Sequence, residues 1–409
     1  MSLRAPDLRS TPNPLARHYS RFHVSQRLLL TGHSHQAWPD AGFDAQKQAW
    51  LDAAELVDAK WEAAEAQAER LRRHWKRLLA DMSGEIALGQ NTHELVTRLL
   101  SALPLRTRPR LVTTDGEFHT IRRQLDRLAE EGIEVVKVPA SPGDTLAERL
   151  AAAVNERTAA ALVSSVMYET AEIIPGLDQV AARCANDGAV LLVDAYHHIN
   201  AVPFDIQQLR LDGAFVTGGG YKYCQLGEGN GFLRIPPDCT LRPVLTGWFS
   251  EFSSLEGGAR GRVEYGTGAA RFAGATYDPT SHYRAAAVMD FHEQEGLTPT
   301  LLREVSRHQV GLLEARFEAI DADPAVARIE ALPDERRAGF LAIRSPQAAA
   351  LVEGLRLRGV HADARKDVLR LGPAPYLSDA QIEEALDALQ DFLRSSASRL
   401  QGPGPREQR

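Results

Sequence analysis

The sequence predicts an α/β fold: a large domain on a mostly parallel sheet, followed by a small C-terminal α+β domain. Three observations carry this. The 409 residues exceed what one simple core holds, so two or three domains are expected. The middle of the chain alternates short apolar runs with helical segments, an order that favours parallel strands and right-handed crossovers. After about residue 285, long helical patterns dominate, broken by a few strand-like runs.

Residues 1–30 read as an arm, polar and rich in Arg and Pro. The pattern is helical from about 41 to 82, with Trp61, Leu71, Trp75, Leu78 and Leu79 largely on one face and Arg72, Arg73 and Lys76 opposite. ALVSSVMY (161–168) is a compact apolar strand. LDQVAARCANDG (177–188) is helical and closes on Gly188, a C-cap signal. AVLLVDAYH (189–197) is apolar enough for a strand buried on both faces, and GAFVTGG (213–219) is the next strand. Further on, 300–320 has helical periodicity, while GFLAIRS (339–345) and DVLRLG (367–372) read as strands. The last helix starts at Ser378, with Gln381 three residues on completing a capping box. The closing GPGPREQR is a polar tail, expected to be disordered.

Hydrophobic residues make up 44% and charged residues 25%, the balance of a soluble globular protein. A net charge of −7 gives no electrostatic reason to expect nucleic acid or an anionic membrane as partner. No run reaches the roughly 20 apolar residues of a membrane span, and the N-terminal stretch lacks the apolar core of a secretory signal. The three cysteines, Cys184, Cys224 and Cys239, are odd in number and show no CxxC spacing. They argue against a disulfide framework and for a cytoplasmic location.

In open α/β sheets, ligands bind beyond the carboxyl ends of the strands. Asp194 closes one apolar strand, and Lys222 follows the next, inside TGGGYKYCQLGEGNG (217–231). Alone, a strand-end aspartate reads as a helix cap or ion-pair partner, and a lone lysine as a solvated loop residue. Together, at neighbouring strand ends among glycines, they suit pyridoxal 5'-phosphate. That cofactor needs a lysine for its aldehyde and an acid to keep its ring nitrogen protonated.

The stretch from Leu191 to Ile235 resembles the core of the kynureninases, fold type I pyridoxal-phosphate enzymes of the class V aminotransferase group. The family pattern of D-x-x-H, A-V-P-x-D, a strand, and S-Y-K-Y before a Gly-rich stretch appears here as Asp194 to His197, Ala201 to Asp205, and Gly220 to Tyr223. The resemblance extends over about 28–395. It implies that Lys222 binds the cofactor as a Schiff base and then moves the substrate's α-proton. Asp194 would hold the ring nitrogen, His197 would contact the cofactor, and Phe118 would stack on the ring. Thr92 and His93 would open a helix under the phosphate, a natural anion site. Tyr221 and Trp248 would bind phosphate, Tyr221 also relaying a proton, and Thr276 would lend a phosphate ligand to the neighbouring subunit of a homodimer. Arg370 would anchor the substrate carboxylate through its two-pronged fork, and Ser34 matches the serine of the family's N-terminal segment. The implied division is an arm over 1–54 that contributes to the active site and small domain, a cofactor-binding domain over 55–284, a small domain over 285–398 and a tail over 399–409.

The sequence also departs from the family. Ile121 stands where the family has an aspartate, and His198 and Ile199 replace small residues. His33 and His35 flank Ser34 where the family does not generally show histidines. All are expected to border the substrate side of the pocket. The reading is therefore a pyridoxal-phosphate enzyme acting on an amino acid, of the kynureninase-like hydrolytic Cβ–Cγ lyase type. A class V aminotransferase, or a cysteine desulfurase or selenocysteine lyase, is the alternative. Persulfide transfer would need a late cysteine, and none follows Cys239. More remote are a non-catalytic cofactor-binding protein and a zinc site drawn from His33, His35, Asp194, His197 and His198.

Overall fold

The computed structural model describes residues 3–254 and 261–400. In chain order, β1 (Leu28–Leu29) is followed by helices α1 (Asp40–Leu56) and α2 (Lys60–Leu78). Then come β2 (Glu85–Gly89), α3 (Thr92–Ala102), β3 (Arg110–Thr114), α4 (His119–Glu130), β4 (Glu134–Val138) and α5 (Leu146–Ala153). These lead to β5 (Thr158–Ser164), α6 (Leu177–Asp187), β6 (Val190–Asp194), β7 (Phe215–Gly219) and β8 (Gly231–Ile235). The C-terminal part holds α7 (Thr280–Gln294), α8 (Pro299–Ile320), β9 (Arg328–Ile329), β10 (Leu341–Arg344), α9 (Ala348–Arg356), β11 (Val360–His361), β12 (Asp363–Arg365), β13 (Val368–Leu371) and α10 (Asp379–Leu400).

Seven strands form the main sheet in the order β2-β8-β7-β6-β5-β3-β4. The neighbours from β7 to β4 run parallel, and β8 pairs antiparallel with both β7 and β2. The sheet is thus mostly parallel, as its apolar central strands demand: every residue of β5, β7 and β8 is buried. A second sheet, in the order β12-β13-β10-β9, is antiparallel. Among the described residues no helix is long and apolar enough to cross a membrane.

Two sequence expectations need correction. The continuous helical pattern over 41–82 is two helices, because Val57 takes φ 52° and ψ −109° between them. The bend lets α1 and α2 each pack on α7. Trp61 is only half-buried, its ring 5.7 Å from that of Tyr277. The apolar strand expected over 161–168 leaves the sheet after Ser164, and Ser165 donates its backbone N–H to the Asp194 carbonyl at 2.9 Å. Both caps appear where expected. Gly188 adopts φ 64° after α6, and Ser378 exchanges hydrogen bonds with Gln381 before α10. The tail expected over 399–409 lies outside the described residues from 401 onward, while 399 and 400 end α10.

The N-terminal stretch is built into the C-terminal core. Leu8, Leu15, Tyr19 and Val24 are buried against residues of α8, β10 and α10. β1 then pairs parallel with β11, and Gly32 donates to the Gly372 carbonyl at 2.7 Å. That path carries residues 31–37 past the end of β13 and alongside the Lys222 loop.

Candidate active site

Asp194 is the last residue of β6, and Lys222 follows β7, its neighbour in the sheet. Both side chains enter a cavity of about 160 Å³ lined by Asn91, Thr92, His93, Phe118, Thr120, Ser164, Val166, Tyr168, Asp194, Tyr196, His197, Tyr221 and Lys222. The glycines before Lys222 make this geometry possible. A Cβ on Gly219 would fall 2.4 Å from the Tyr196 hydroxyl, so only glycine lets that ring lie against the strand end.

Lys222 is buried, with Nζ 2.8 Å from His197 Nε2 and 4.5 Å from the centre of the Tyr196 ring. Burial pulls its pKa down to about 7, against the pull of Asp194, with Arg370 lowering it further. Burial raises the Asp194 carboxyl above its usual range, opposed by the Tyr196 backbone N–H, which donates to Oδ1 at 2.9 Å, and by Lys222. His197 is held well below its ordinary value by burial and then by Lys222, so its ring is neutral. Among the described residues, its buried Nδ1 has no hydrogen-bond partner.

The walls follow from local structure. Thr92 is the first residue of α3, whose cap Asn91 accepts the Glu94 N–H at 2.9 Å, and Asn91, Thr92 and His93 at this helix start line the cavity. Phe118 precedes α4 and stands edge-on to Tyr168, with ring centres 5.3 Å apart. Tyr221 lies between Tyr196, at 5.2 Å, and the exposed His35, which stacks on it at 4.9 Å.

Other expected residues lie elsewhere. Ser34 donates its hydroxyl to the Thr31 carbonyl at 3.0 Å, and His35 sits 3.6 Å from Glu228. Trp248 and Thr276 are exposed and line no part of this cavity. Arg370 and His33 are buried next to it, both bound to Asp363. The departures expected to border the substrate side do not line the cavity. Ile121 is fully buried in the core between helices and sheet. His198 turns away, with its nitrogens 3.2 Å from the Ser165 hydroxyl and 3.3 Å from the Pro203 carbonyl. The zinc alternative fails geometrically: among the described residues only His74, Asp290 and Glu293 bring three ligand atoms within 4.8 Å of one another.

Sequence reasoning missed Tyr168, Tyr196 and Glu117. Tyr196 stands between Asp194 and His197, and that position was the available signal. Glu117 is buried and accepts hydrogen bonds from the hydroxyls of Thr114 at 2.8 Å and Ser164 at 2.6 Å. Burial lifts its pKa to about 7. No pattern marks it, because a glutamate in TDGEF reads as part of a solvated turn.

A model of the class-V aminotransferases matches residues 54–338, and a model of the kynureninase C-terminal domain matches 302–389. A kynureninase from Pseudomonas fluorescens is 26% identical over 80% of this chain and 79% of its own. An uncharacterized aminotransferase, YcbU, from Bacillus subtilis is 22% identical over 84% of this chain and 88% of its own. Among solved structures, a mutant of C-DES with glycine covalently linked to the PLP cofactor superposes with a TM-score of 0.81 at 19% identity, covering 92% of this chain and 99% of that one. The cysteine desulfurase CsdA from Escherichia coli gives 0.77 at 17% identity, covering 97% of this chain and 100% of that one.

Those superpositions identify the architecture as fold type I. The residues fit its cofactor. The depressed lysine offers a neutral amine, Asp194 has one oxygen left over after its backbone bond, and the orphaned His197 Nδ1 calls for a polar partner. The α3 N-terminus is suited to a phosphate. With the class-V model covering more than half of its 409 residues, the chain belongs to the class-V aminotransferase family, whose cofactor is pyridoxal phosphate.

Proposed function

We propose that the protein is a kynureninase-like hydrolase that cleaves the Cβ–Cγ bond of an aryl-keto amino acid. The observation that carries this is the kynureninase C-terminal match over 302–389, which spans Asp363 and Arg370. When bound, pyridoxal phosphate supplies an electron sink conjugated to the substrate's Cα. Lys222, whose pKa burial brings to about 7 and whose amine is so available in neutral form near that pH, would hold the cofactor and take the α-proton on Nζ. Asp194 would keep the cofactor's ring nitrogen protonated, and Phe118, which lines the same cavity, would pack against the ring. Thr92, His93 and the Tyr221 hydroxyl would hold its phosphate. Arg370 anchors the substrate carboxylate. Water adds to the γ-carbonyl, and breaking Cβ–Cγ releases an aromatic acid and alanine.

Exposed Trp248 and Thr276 are assigned to phosphate contacts, Thr276 serving the partner subunit of a cytoplasmic homodimer. A stable monomer with full activity would contradict that assignment. An aminotransferase is the second reading, favoured by the relative from Bacillus subtilis. A desulfurase is disfavoured, because Cys224 is buried and burial pushes its thiol far up. Incubation with kynurenine and 3-hydroxykynurenine tests the reading. Anthranilates plus alanine are expected; turnover only with an added keto acid would replace it with the aminotransferase.

A further inference from the structure

Arg370, the carboxylate anchor of the proposed function, already holds one carboxylate. Nε donates to Asp363 Oδ1 at 2.9 Å, Nη2 to Oδ2 at 2.5 Å, and Nη1 to the Tyr168 carbonyl at 2.7 Å. A guanidinium has five N–H donors. Among the described residues two are left, one on each terminal nitrogen, available to a second carboxylate. Tyr168 lines the cavity, so the Nη1 bond ties the guanidinium to the cavity wall.

Asp363 has a second partner. His33 Nε2 lies 2.7 Å from Oδ1. The His33 ring is fully buried, 4.7 Å from the ring of Phe340. Burial lowers its pKa to about 4, so it is neutral and carries its proton on Nε2, donating to the carboxylate. Burial also pushes Asp363 up, but the bonds from His33 and Arg370 more than offset this and hold it below its ordinary range. The backbone fixes His33 in turn. Gly32 donates to Gly372, and Gly372 donates to Leu30 at 2.8 Å. A Cβ on Gly372 would fall 2.2 Å from His33 Nδ1, so the glycine two residues after Arg370 makes room for the imidazole.

We propose that His33 is a positioning residue: through Asp363 it fixes the guanidinium of Arg370, so the N-terminal segment sets the pocket's affinity for the substrate's α-carboxylate. The inference rests on the reading of Arg370 as that anchor. The chain from Gly32 to β13 therefore acts as one unit, with imidazole, carboxylate and guanidinium in series. A glutamine at position 33 keeps an N–H donor near the place of Nε2; an alanine keeps none.

The experiment uses the holoenzyme and two probes, L-alanine and ethylamine, which differ by the carboxylate. Binding is read from the cofactor's absorbance change. His33→Ala should weaken L-alanine binding by roughly tenfold, the equivalent of one modest hydrogen bond. Ethylamine should bind as to the wild type, and His33→Gln, whose amide nitrogen reaches the place of Nε2, should recover most of the loss. Equal weakening of both probes would overturn the proposal, since a general loosening of the fold does that. Arg370→Ala separates the two layers. If it weakens L-alanine binding while His33→Ala does not, the role of His33 is wrong. If it leaves L-alanine binding unchanged, the anchor reading is wrong, and the proposal with it. Should His33→Ala fail to fold, Asp363→Asn with the same two probes decides: a carboxylate-selective loss supports the proposal, and none overturns it.

Discussion

Two buried polar clusters sit side by side, and burial has opposite consequences in them. Around Lys222 the charged groups are short of partners. Asp194 has one backbone donor, and Lys222 faces a neutral imidazole. Burial therefore wins, pushing the amine down to about 7 and the carboxyl up. Around Asp363 the partners are complete: a neutral histidine and a bidentate arginine grip the same carboxylate. There the partners win, and the acid stays ionised. Low dielectric penalises a lone charge and strengthens a paired one. The first arrangement leaves protons free to move; the second holds side chains still.

The sharpest way to break this contrast is at Lys222. Lys222→Ala should abolish the yellow chromophore and cut turnover by roughly 10²–10⁴-fold or more. A variant that stayed yellow would move the reactive amine elsewhere. Next in size is stability. Asp363→Asn weakens a paired site and should lower unfolding free energy by about 1–3 kcal/mol in denaturant titrations. Asp194→Asn removes a charge that burial disfavours, so its effect should stay within about 1 kcal/mol while activity collapses. Similar losses from both would erase the distinction.

The pH dependence is a finer test. The reactive form of Lys222 is the neutral amine, and its fraction grows as pH rises through about 7. Capture of pyridoxal phosphate by the apo-protein should therefore accelerate between about pH 6 and 8 and level off above. A rise centred near the ordinary lysine value would show that the amine is solvated. Smallest is Tyr221→Phe, which keeps the ring between Tyr196 and His35. It should weaken cofactor retention by up to about tenfold, seen in dialysis, since one hydroxyl contact is lost.

The same contrast explains what the sequence disclosed. Asp194 and Lys222 were legible because each follows an apolar run on neighbouring strands, so local pattern and sheet topology bring them together. The wall at Tyr168 was not, because the strand reading ran past Ser164, where the chain turns to bond the Asp194 carbonyl. The N-terminal stretch looked polar because Leu8, Leu15, Tyr19 and Val24 follow no helical or strand period. Their burial comes from contacts with the far end of the chain. The clamp is the extreme case. Asp363 and Arg370 meet through antiparallel register, and His33 reaches them across 330 residues of sequence. No spacing rule reports such a contact. Arg370 was expected by resemblance alone, and His33 only as a departure from the family's pattern beside Ser34.

The most direct test of the central claim is chemical. Borohydride reduction of the holoenzyme, followed by digestion and mass mapping, should place a pyridoxyl group on the peptide containing Lys222 and bleach the chromophore. A pyridoxyl group on another lysine, or none with full cofactor supplied, would contradict the account.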